Sequence, residues 1–105
     1  MNIGVISDTH RVRSSIEQLG AKIREVDTLI HLGDNVDDID IIRKYYKGKI
    51  INVKGNCDFT TSVPNDRLER IAGKNIFLTH GHRYCVKENL SMLRYKALET
   101  GADIV

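Results

Sequence analysis

Four short apolar runs along the chain predict β-strands. They are NIGVIS at 2–7, TLIHL at 28–32, KIINV at 49–53 and NIFLT at 75–79. Such short, nearly continuous apolar runs are typical of strands buried on both faces of a sheet. Polar and apolar residues alternate over 67–71, and Ala72, Gly73 and Lys74 predict a turn into the fourth run, so this part of the chain is interpreted as a hairpin.

Helical patterns separate these runs. One apolar stripe has steps of four, three and four residues and consists of Val12, Ile16, Leu19 and Ile23. Residues 37–46, DDIDIIRKYY, place carboxylates before cations, as the helix dipole favours. A third stripe predicts a helix over 87–99 and consists of Val86, Leu90, Leu93 and Ala97.

The order of predicted elements indicates a single α/β domain over residues 1–105. A βαβαβ unit is followed by the hairpin, a helix and the start of another strand at ADIV. Alternating strands and helices favour a mostly parallel sheet. A chain of 105 residues without internal repeats is expected to form one domain.

Composition narrows the possible functions. Hydrophobic residues make up 41% and charged residues 29%, and the net charge of +2 comes without a basic block, which argues against a dedicated nucleic-acid binder. No apolar run approaches the ~20 residues that span a bilayer, and no signal-peptide pattern is visible. We therefore expect a cytoplasmic protein with no membrane association. Cys57 and Cys85 are expected to be free, buried thiols, although a disulfide stays open.

Chemistry-bearing side chains follow each predicted strand. The four strand ends carry Asp8-Thr9-His10, Gly33-Asp34-Asn35, Gly55-Asn56-Cys57-Asp58 and His80-Gly81-His82. Ligands of open α/β sheets collect at the carboxyl ends of the strands, so we expect these groups to meet. Carboxylate, carboxamide and imidazole suit manganese, iron, zinc or magnesium. An aspartate can bridge two such ions at about 3.5–4 Å.

Structural roles for the same residues compete with this interpretation. Asp8 or Ser7 could cap the helix that follows the run 2–7, Asp34 could cap the helix beginning near Val36, and Asn56 could occupy a turn at positive φ. These roles can coexist with metal binding. His31 lies inside an apolar run and is interpreted as a core or supporting residue, whereas His80 has no comparable structural role.

In this order, the motifs D-x-H, G-D, G-N-C-D and T-H-G-H resemble the calcineurin-like metallophosphoesterase superfamily, and within it the YfcE-type phosphodiesterase branch. The resemblance covers the chain from residue 2 onward and implies mixed β-sheets packed as a sandwich and flanked by helices. It implies two metal positions. Asp8 and His10 would bind one ion, Asn56 and His80 the other, and Asp34 would bridge them.

The resemblance also implies the reaction. Asp34, Asn56 and His80 would be catalytic, with Cys57, Asp58 and His82 supporting the ligands. Two divalent ions would hold a bridging hydroxide that attacks a small phosphodiester. Manganese is the first choice of metal, and zinc, iron, nickel or magnesium are the alternatives. Many members carry histidine in place of Cys57. A thiol of pKa ~8.5 serves a leaving group poorly, so esters with good leaving groups should react best.

The family's motif set continues beyond the residues present here. After one more helix and strand, its members carry a G-H-x-H motif, one histidine for each metal, and Val105 precedes that position. We therefore expect a domain truncated at its carboxyl end, or a partner chain that supplies the missing layer. Uncovered apolar faces would favour association, including a homo-oligomer.

Two other functions compete with the enzyme. One is a non-catalytic scaffold on the same fold, such as the retromer scaffold subunit, or an inactive fragment of the enzyme. The other, a nucleotide-binding regulatory domain, is disfavoured because neither a G-x-G-x-x-G nor a Walker-type loop is present.

Overall fold

A parallel three-stranded sheet forms the first half of the molecule. The computed structural model describes residues 1–9, 13–59 and 62–105. Strands β1 (Ile3–Ile6), β2 (Thr28–His31) and β3 (Lys49–Asn52) lie in that spatial order, and every pairing is parallel. All four residues of β2 are buried, as expected for a central strand covered on both faces. The three predicted strands are therefore present, each shortened by one or two residues at its ends.

The first predicted helical stripe forms helix α1 (Arg13–Lys22), which covers one face of this sheet. Ile16 and Ile23 are buried from this side against Leu29 of β2. Val12, the first member of the predicted stripe, lies outside the described residues. The remaining buried members of this core cluster are Ile42 and Tyr46.

The second predicted helix is shorter than its charge pattern suggests. A 3-10 turn at Val36–Asp38 leads into α2 (Ile39–Ile42), which spans only four residues. Beyond it, the N–H groups of Lys44 and Tyr45 donate to carbonyls three residues back, so the helix tightens into turns. The hydroxyl of the buried Tyr46 donates to the Val26 carbonyl at 2.9 Å, which connects this segment to the loop before β2.

The predicted hairpin is confirmed. Strand β4 (Asp66–Ile71) pairs antiparallel with β5 (Lys74–Thr79), and the pair forms its own two-stranded sheet. Ala72 and Gly73 have φ of 50° and 83°, as a two-residue turn with positive φ at both positions requires. A second core cluster joins the two sheets and contains Ile30, Ile51, Val53, Ile71 and Leu78. The fold is thus the expected mixed α/β sandwich.

The last helix begins later than predicted. A 3-10 turn at His82–Tyr84 precedes α3, which spans Ser91–Thr100 instead of 87–99. Cys85 has φ of 53°, and the Asn89 side chain accepts the N–H of Ser91 at 3.0 Å, so regular helix starts only there. Beyond α3, Ile104 forms a parallel bridge with Ile76 of β5. No helix in the described ranges has the length and apolar character needed to cross a membrane.

Apolar side chains remain exposed on one side of the molecule, as the sequence led us to expect. Ile3 and Val5 of β1 are 36% and 59% exposed, and Ile104 and Val105 are also more than half exposed. These four residues line an apolar groove of about 460 Å³ between the two sheets. We call these four residues the apolar face.

Two glycines bring the loops after β2 and β3 into backbone contact. Gly33 has φ of 105°, and a Cβ on it would lie 2.8 Å from the Cα of Gly55 and 2.9 Å from the carbonyl carbon of Lys54. Real Cβ atoms do not approach so closely. Both the conformation and the space at Gly33 therefore require glycine.

We expect Gly33→Ala to destabilise the protein more than Gly73→Ala. Each alanine meets a positive φ, which costs about 1–2 kcal/mol, but only Gly33 faces a neighbouring backbone, since nothing lies within 4 Å of a Cβ at Gly73. The collision should add about 1–3 kcal/mol. Chemical denaturation of both variants measures the difference. Equal losses would show that the two loops do not need their close contact.

Candidate metal centre

Three of the predicted ligands meet at the carboxyl edge of the parallel sheet. Asp8 follows β1, Asp34 follows β2, and His80 follows β5 from the second sheet. Each offers one ligand atom, and these atoms lie within 4.8 Å of one another. His10 lies outside the described residues. Asn56 is exposed and lines a neighbouring cleft of about 440 Å³ together with His80 and His82.

Asp34 is the buried member of this group, with 4% of its surface exposed. Its Oδ1 accepts the N–H of Cys57 at 2.9 Å, and its Oδ2 lies 3.4 Å from Nε2 of His80. The carboxylate thus turns toward the neighbouring loop and not toward the helix that follows, which disfavours the capping role considered for it. A Cβ at position 55 would collide with this carboxylate, so glycine is also required in the loop after β3.

Backbone conformation at the site departs from ordinary strand ends. Asp8, Asp34 and Asn35 have φ of 54°, 62° and 64°. Non-glycine residues seldom adopt this region, although aspartate and asparagine tolerate it best, and such strain clusters at functional sites. Asn56 does lie in a turn, as considered for it, but its φ is not positive.

The ring of His80 has a defined tautomer. Its Nδ1 lies 2.8 Å from the carbonyl oxygen of Leu32, and a carbonyl can only accept, so Nδ1 carries the proton. In the neutral ring Nε2 then presents a lone pair to Oδ2 of Asp34. The same nitrogen can take a proton and form an ion pair with Asp34, or it can bind a metal ion. Together with Asp8, this donor set fits a divalent metal ion.

Asp58 fastens the loop after β3 to the loop after β2. Its Oδ2 accepts the N–H groups of Asp34 and Gly55, each at 2.9 Å, and its Oδ1 accepts that of Val36 at 3.0 Å. Burial raises the pKa of the Asp58 carboxyl, but backbone donors from Gly55, Val36, Asn35 and Asp34 outweigh burial and hold the pKa below its usual value. The ionised form is therefore the one that holds both loops.

His31 connects the loop after β1 to the loop after β2 through hydrogen bonds. Its Nδ1 accepts the N–H of Gly33 at 3.1 Å, so the proton is on Nε2, which donates to the hydroxyl of Thr9 at 3.1 Å. The ring is fully buried, and burial lowers its pKa against the raising effect of nearby carboxylates. His31 is thus a neutral supporting residue, in agreement with its position inside an apolar strand.

The residues predicted to support the ligands differ in their surroundings. His82 is exposed, and its ring centroid lies 5.4 Å from that of His80. Cys57 and Cys85 are free, but the prediction that they are buried is wrong, since both are exposed. Desolvation first, then the negative charge of Asp34, raises the pKa of the Cys57 thiol, so the thiol is protonated at neutral pH.

A family model, the calcineurin-like phosphoesterase superfamily domain, matches residues 1–105. The chain belongs to this superfamily. Two curated members are similar to it at 32% identity: the probable metallophosphoesterase YsnB of Bacillus subtilis and a probable metallophosphoesterase of Methanocaldococcus jannaschii. All of this chain is covered in both comparisons. It spans 61% of YsnB and 56% of the archaeal protein.

Solved phosphoesterase-fold structures superpose on the chain. An uncharacterised protein of Streptococcus pneumoniae, described as a predicted phosphoesterase, shares 29% identity with a TM-score of 0.75, covering 95% of this chain and 56% of that one. Vps29 of Entamoeba histolytica, crystallised with Zn²⁺, shares 21% identity with a TM-score of 0.76. The superposition covers 99% of this chain and 62% of Vps29. At that identity the likeness to Vps29 shows the fold alone. Superfamily members generally bind divalent metals, and the Asp8, Asp34 and His80 group offers such a position.

Sequence reasoning missed the groups that connect the loops. The Leu32 carbonyl and the Asp66 carboxylate contact site segments but belong to no motif, and the Thr9 hydroxyl belongs to the variable position of D-x-H. The Asp58 carboxylate was recognised as a supporting group from the G-N-C-D motif. The backbone N–H groups of Asp34, Val36 and Gly55 that it accepts follow only from the fold.

We expect Asp58→Asn to lower the free energy of unfolding by about 1.5–3 kcal/mol at pH 7, because an amide nitrogen would face backbone donors. Folding lowers the pKa of Asp58, so the carboxylate contributes fully to the free energy of unfolding above about pH 4. This contribution is lost as the pH falls further and the carboxylate is protonated in the folded protein. The difference from wild type should therefore shrink toward pH 2 in urea titrations. The exposed Asp40 provides the matched control, and a loss of similar size in Asp40→Asn would contradict a specific role of Asp58.

Proposed function

We propose that the protein is a metal-dependent phosphoesterase, and more specifically a phosphodiesterase with a dinuclear centre. The observation that carries the proposal is the convergence of Asp8, Asp34 and His80, whose ligand atoms lie within 4.8 Å of one another at the ends of three strands. The proposed ligands are Asp8, His10, Asp34, Asn56 and His80. Manganese is the preferred metal of the proposal. Residues 1–105 would form one domain, or part of a longer one.

Each side chain has a part in this proposal. Asp34 would be shared by both metal positions, since its Oδ2 faces His80 while its Oδ1 is oriented by the Cys57 N–H. The bond from His80 Nδ1 to Leu32 keeps Nε2 available as a ligand. Divalent ions held there would supply an activated water and neutralise charge on the phosphoryl oxygens.

The cleft beside Asn56 and His80 offers room for the ester. Its 440 Å³ are lined by the imidazoles of His80 and His82, by Cys85 and by Lys87, among others, while Cys57 follows Asn56 in the chain. The protonated Cys57 thiol, with its raised pKa, is a weak acid for a departing alkoxide. Small phosphodiesters with good leaving groups, such as aryl esters, are therefore the proposed substrate class.

Exposed, free cysteines support a reducing compartment, and the proposal includes a cytoplasmic location. The second candidate function is a non-catalytic scaffold. Exposed apolar side chains on α3, namely Met92, Tyr95 and Leu98, favour it, because such groups suit contact with another protein.

Hydrolysis of aryl phosphodiesters by the purified chain tests the leading proposal. We expect turnover that requires Mn²⁺, stops with a chelator, and falls at least about 100-fold in Asp34→Asn, since loss of even an outer-shell partner costs 10–100-fold. Asp40→Asn should leave it unchanged. Rates should rise as the leaving-group pKa falls, and a flat series would contradict the role given to Cys57. Metal binding without turnover would favour the scaffold or an inactive fragment.

We also expect the chain to self-associate through the apolar face. Light scattering after size-exclusion chromatography should report a species larger than 11.9 kDa. Val5→Asp, which places a charge in this face, should shift it toward the monomer. Phe59 is 86% exposed but lies outside the apolar face, so Phe59→Asp is the matched control. A monomeric wild type, or equal effects of both variants, would contradict this expectation.

A further inference from the structure

One carboxylate outside the metal-binding group contacts both ends of the segment that carries His80 and His82. Asp66 is the first residue of β4 and lies opposite Thr79, the last residue of β5. Its Oδ1 accepts the Thr79 hydroxyl at 2.8 Å, and its Oδ2 accepts the Tyr84 hydroxyl at 2.6 Å. We call Asp66, Thr79 and Tyr84 the Asp66 junction.

The direction of each hydrogen bond is determined. The Thr79 hydroxyl has one proton, which goes to Asp66, so its lone pair accepts the N–H of Gly81 at 3.2 Å. Burial first, then the bond to Asp66, raises the pKa of Tyr84 to about 12, so the phenol is protonated and donates. The junction therefore holds the backbone on both sides of His80.

Packing supports the same arrangement. The Tyr84 ring meets Phe77 of β5 edge to face, with centroids 6.2 Å apart and an angle of 73°. Gly81 has φ of 92°, and a Cβ on it would lie 3.0 Å from a methyl group of Val86. The turn is thus held in one conformation by a buried glycine and by the junction. Arg83, 3.9 Å from Oδ2 of Asp66, adds a more exposed positive charge.

We infer that Asp66 is a positioning residue for His80, acting through Thr79 and Tyr84 to set where Nε2 lies relative to Asp34. The ring of His80 has two independent restraints. Leu32 determines its rotation through Nδ1, while the junction determines where its backbone lies. Both are needed to bring Nε2 to 3.4 Å from Asp34. The expected effect on metal binding rests on the metal centre proposed above. The effect on the position of the His80 ring does not.

The experiment compares Asp66→Asn with Asp103→Asn. Asp103 also contacts β5, accepting the N–H of Asn75 at 2.8 Å, but at the end of the strand away from the histidines. We expect Asp66→Asn to weaken Mn²⁺ binding, measured by titration calorimetry, about 10–100-fold, the usual effect of losing an outer partner of a metal ligand. The Mn²⁺ affinity of Asp103→Asn should stay within about twofold of the wild-type affinity.

A second readout needs no metal. In long-range ¹H–¹⁵N spectra of the metal-free protein, the wild-type His80 ring should show its proton on Nδ1, and Asp66→Asn should give a mixture of tautomers. Unchanged affinity and unchanged ring signals in folded Asp66→Asn would overturn the inference. An equal loss of Mn²⁺ affinity in Asp103→Asn would assign the effect to general stability and would also overturn the inference. If wild type binds no Mn²⁺, the proposed function fails, whereas the ring signals still decide the role of Asp66.

Thr79 provides a further pair if Asp66→Asn does not fold. Thr79→Val keeps the shape but removes the hydroxyl, and Thr79→Ser restores it. The valine variant should reproduce the loss of affinity and the tautomer mixture, and the serine variant should return both close to wild type. Identical behaviour of the two variants would show that the hydroxyl does not transmit the position of Asp66 to His80.

Discussion

The carboxylate of Asp58 is the contact on which the arrangement of the site most depends. It accepts backbone N–H groups from two loops, at Asp34 and Val36 on one side and at Gly55 on the other. A charged acceptor shared by several donors is strong, and its lowered pKa keeps it ionised. Glycines at 33 and 55 allow these loops to approach closely enough for one carboxylate to reach both.

The loop at 33–35 then becomes the centre to which every other site segment is attached. The N–H of Asp8 donates to the Gly33 carbonyl at 2.9 Å, and His31 bonds both Gly33 and Thr9. From the second sheet, His80 donates to the carbonyl of Leu32, one residue before this loop. Four strand ends are therefore connected by hydrogen bonds before any ligand is considered, which is the preorganisation that a metal centre requires.

This polar edge contrasts with the exposed apolar surface of the molecule. There the apolar face and much of α3 are exposed, and α3 has no buried residue. Burial of such surface is favourable, so this surface is suited to contact with other protein surface.

The sequence by itself determined the strands, the hairpin and the superfamily, because these depend on local patterns. Buried runs fit a parallel sheet, Ala72 and Gly73 permit a turn of positive φ, and the motifs follow the strands in a recognisable order. Only the tertiary structure decided the tautomer of His80, the exposure of both cysteines, the late start of α3 at Ser91 and the role of Asp66. Those features arise largely from contacts between distant segments, such as the 48 residues that separate His80 from Leu32, and no local pattern records such contacts.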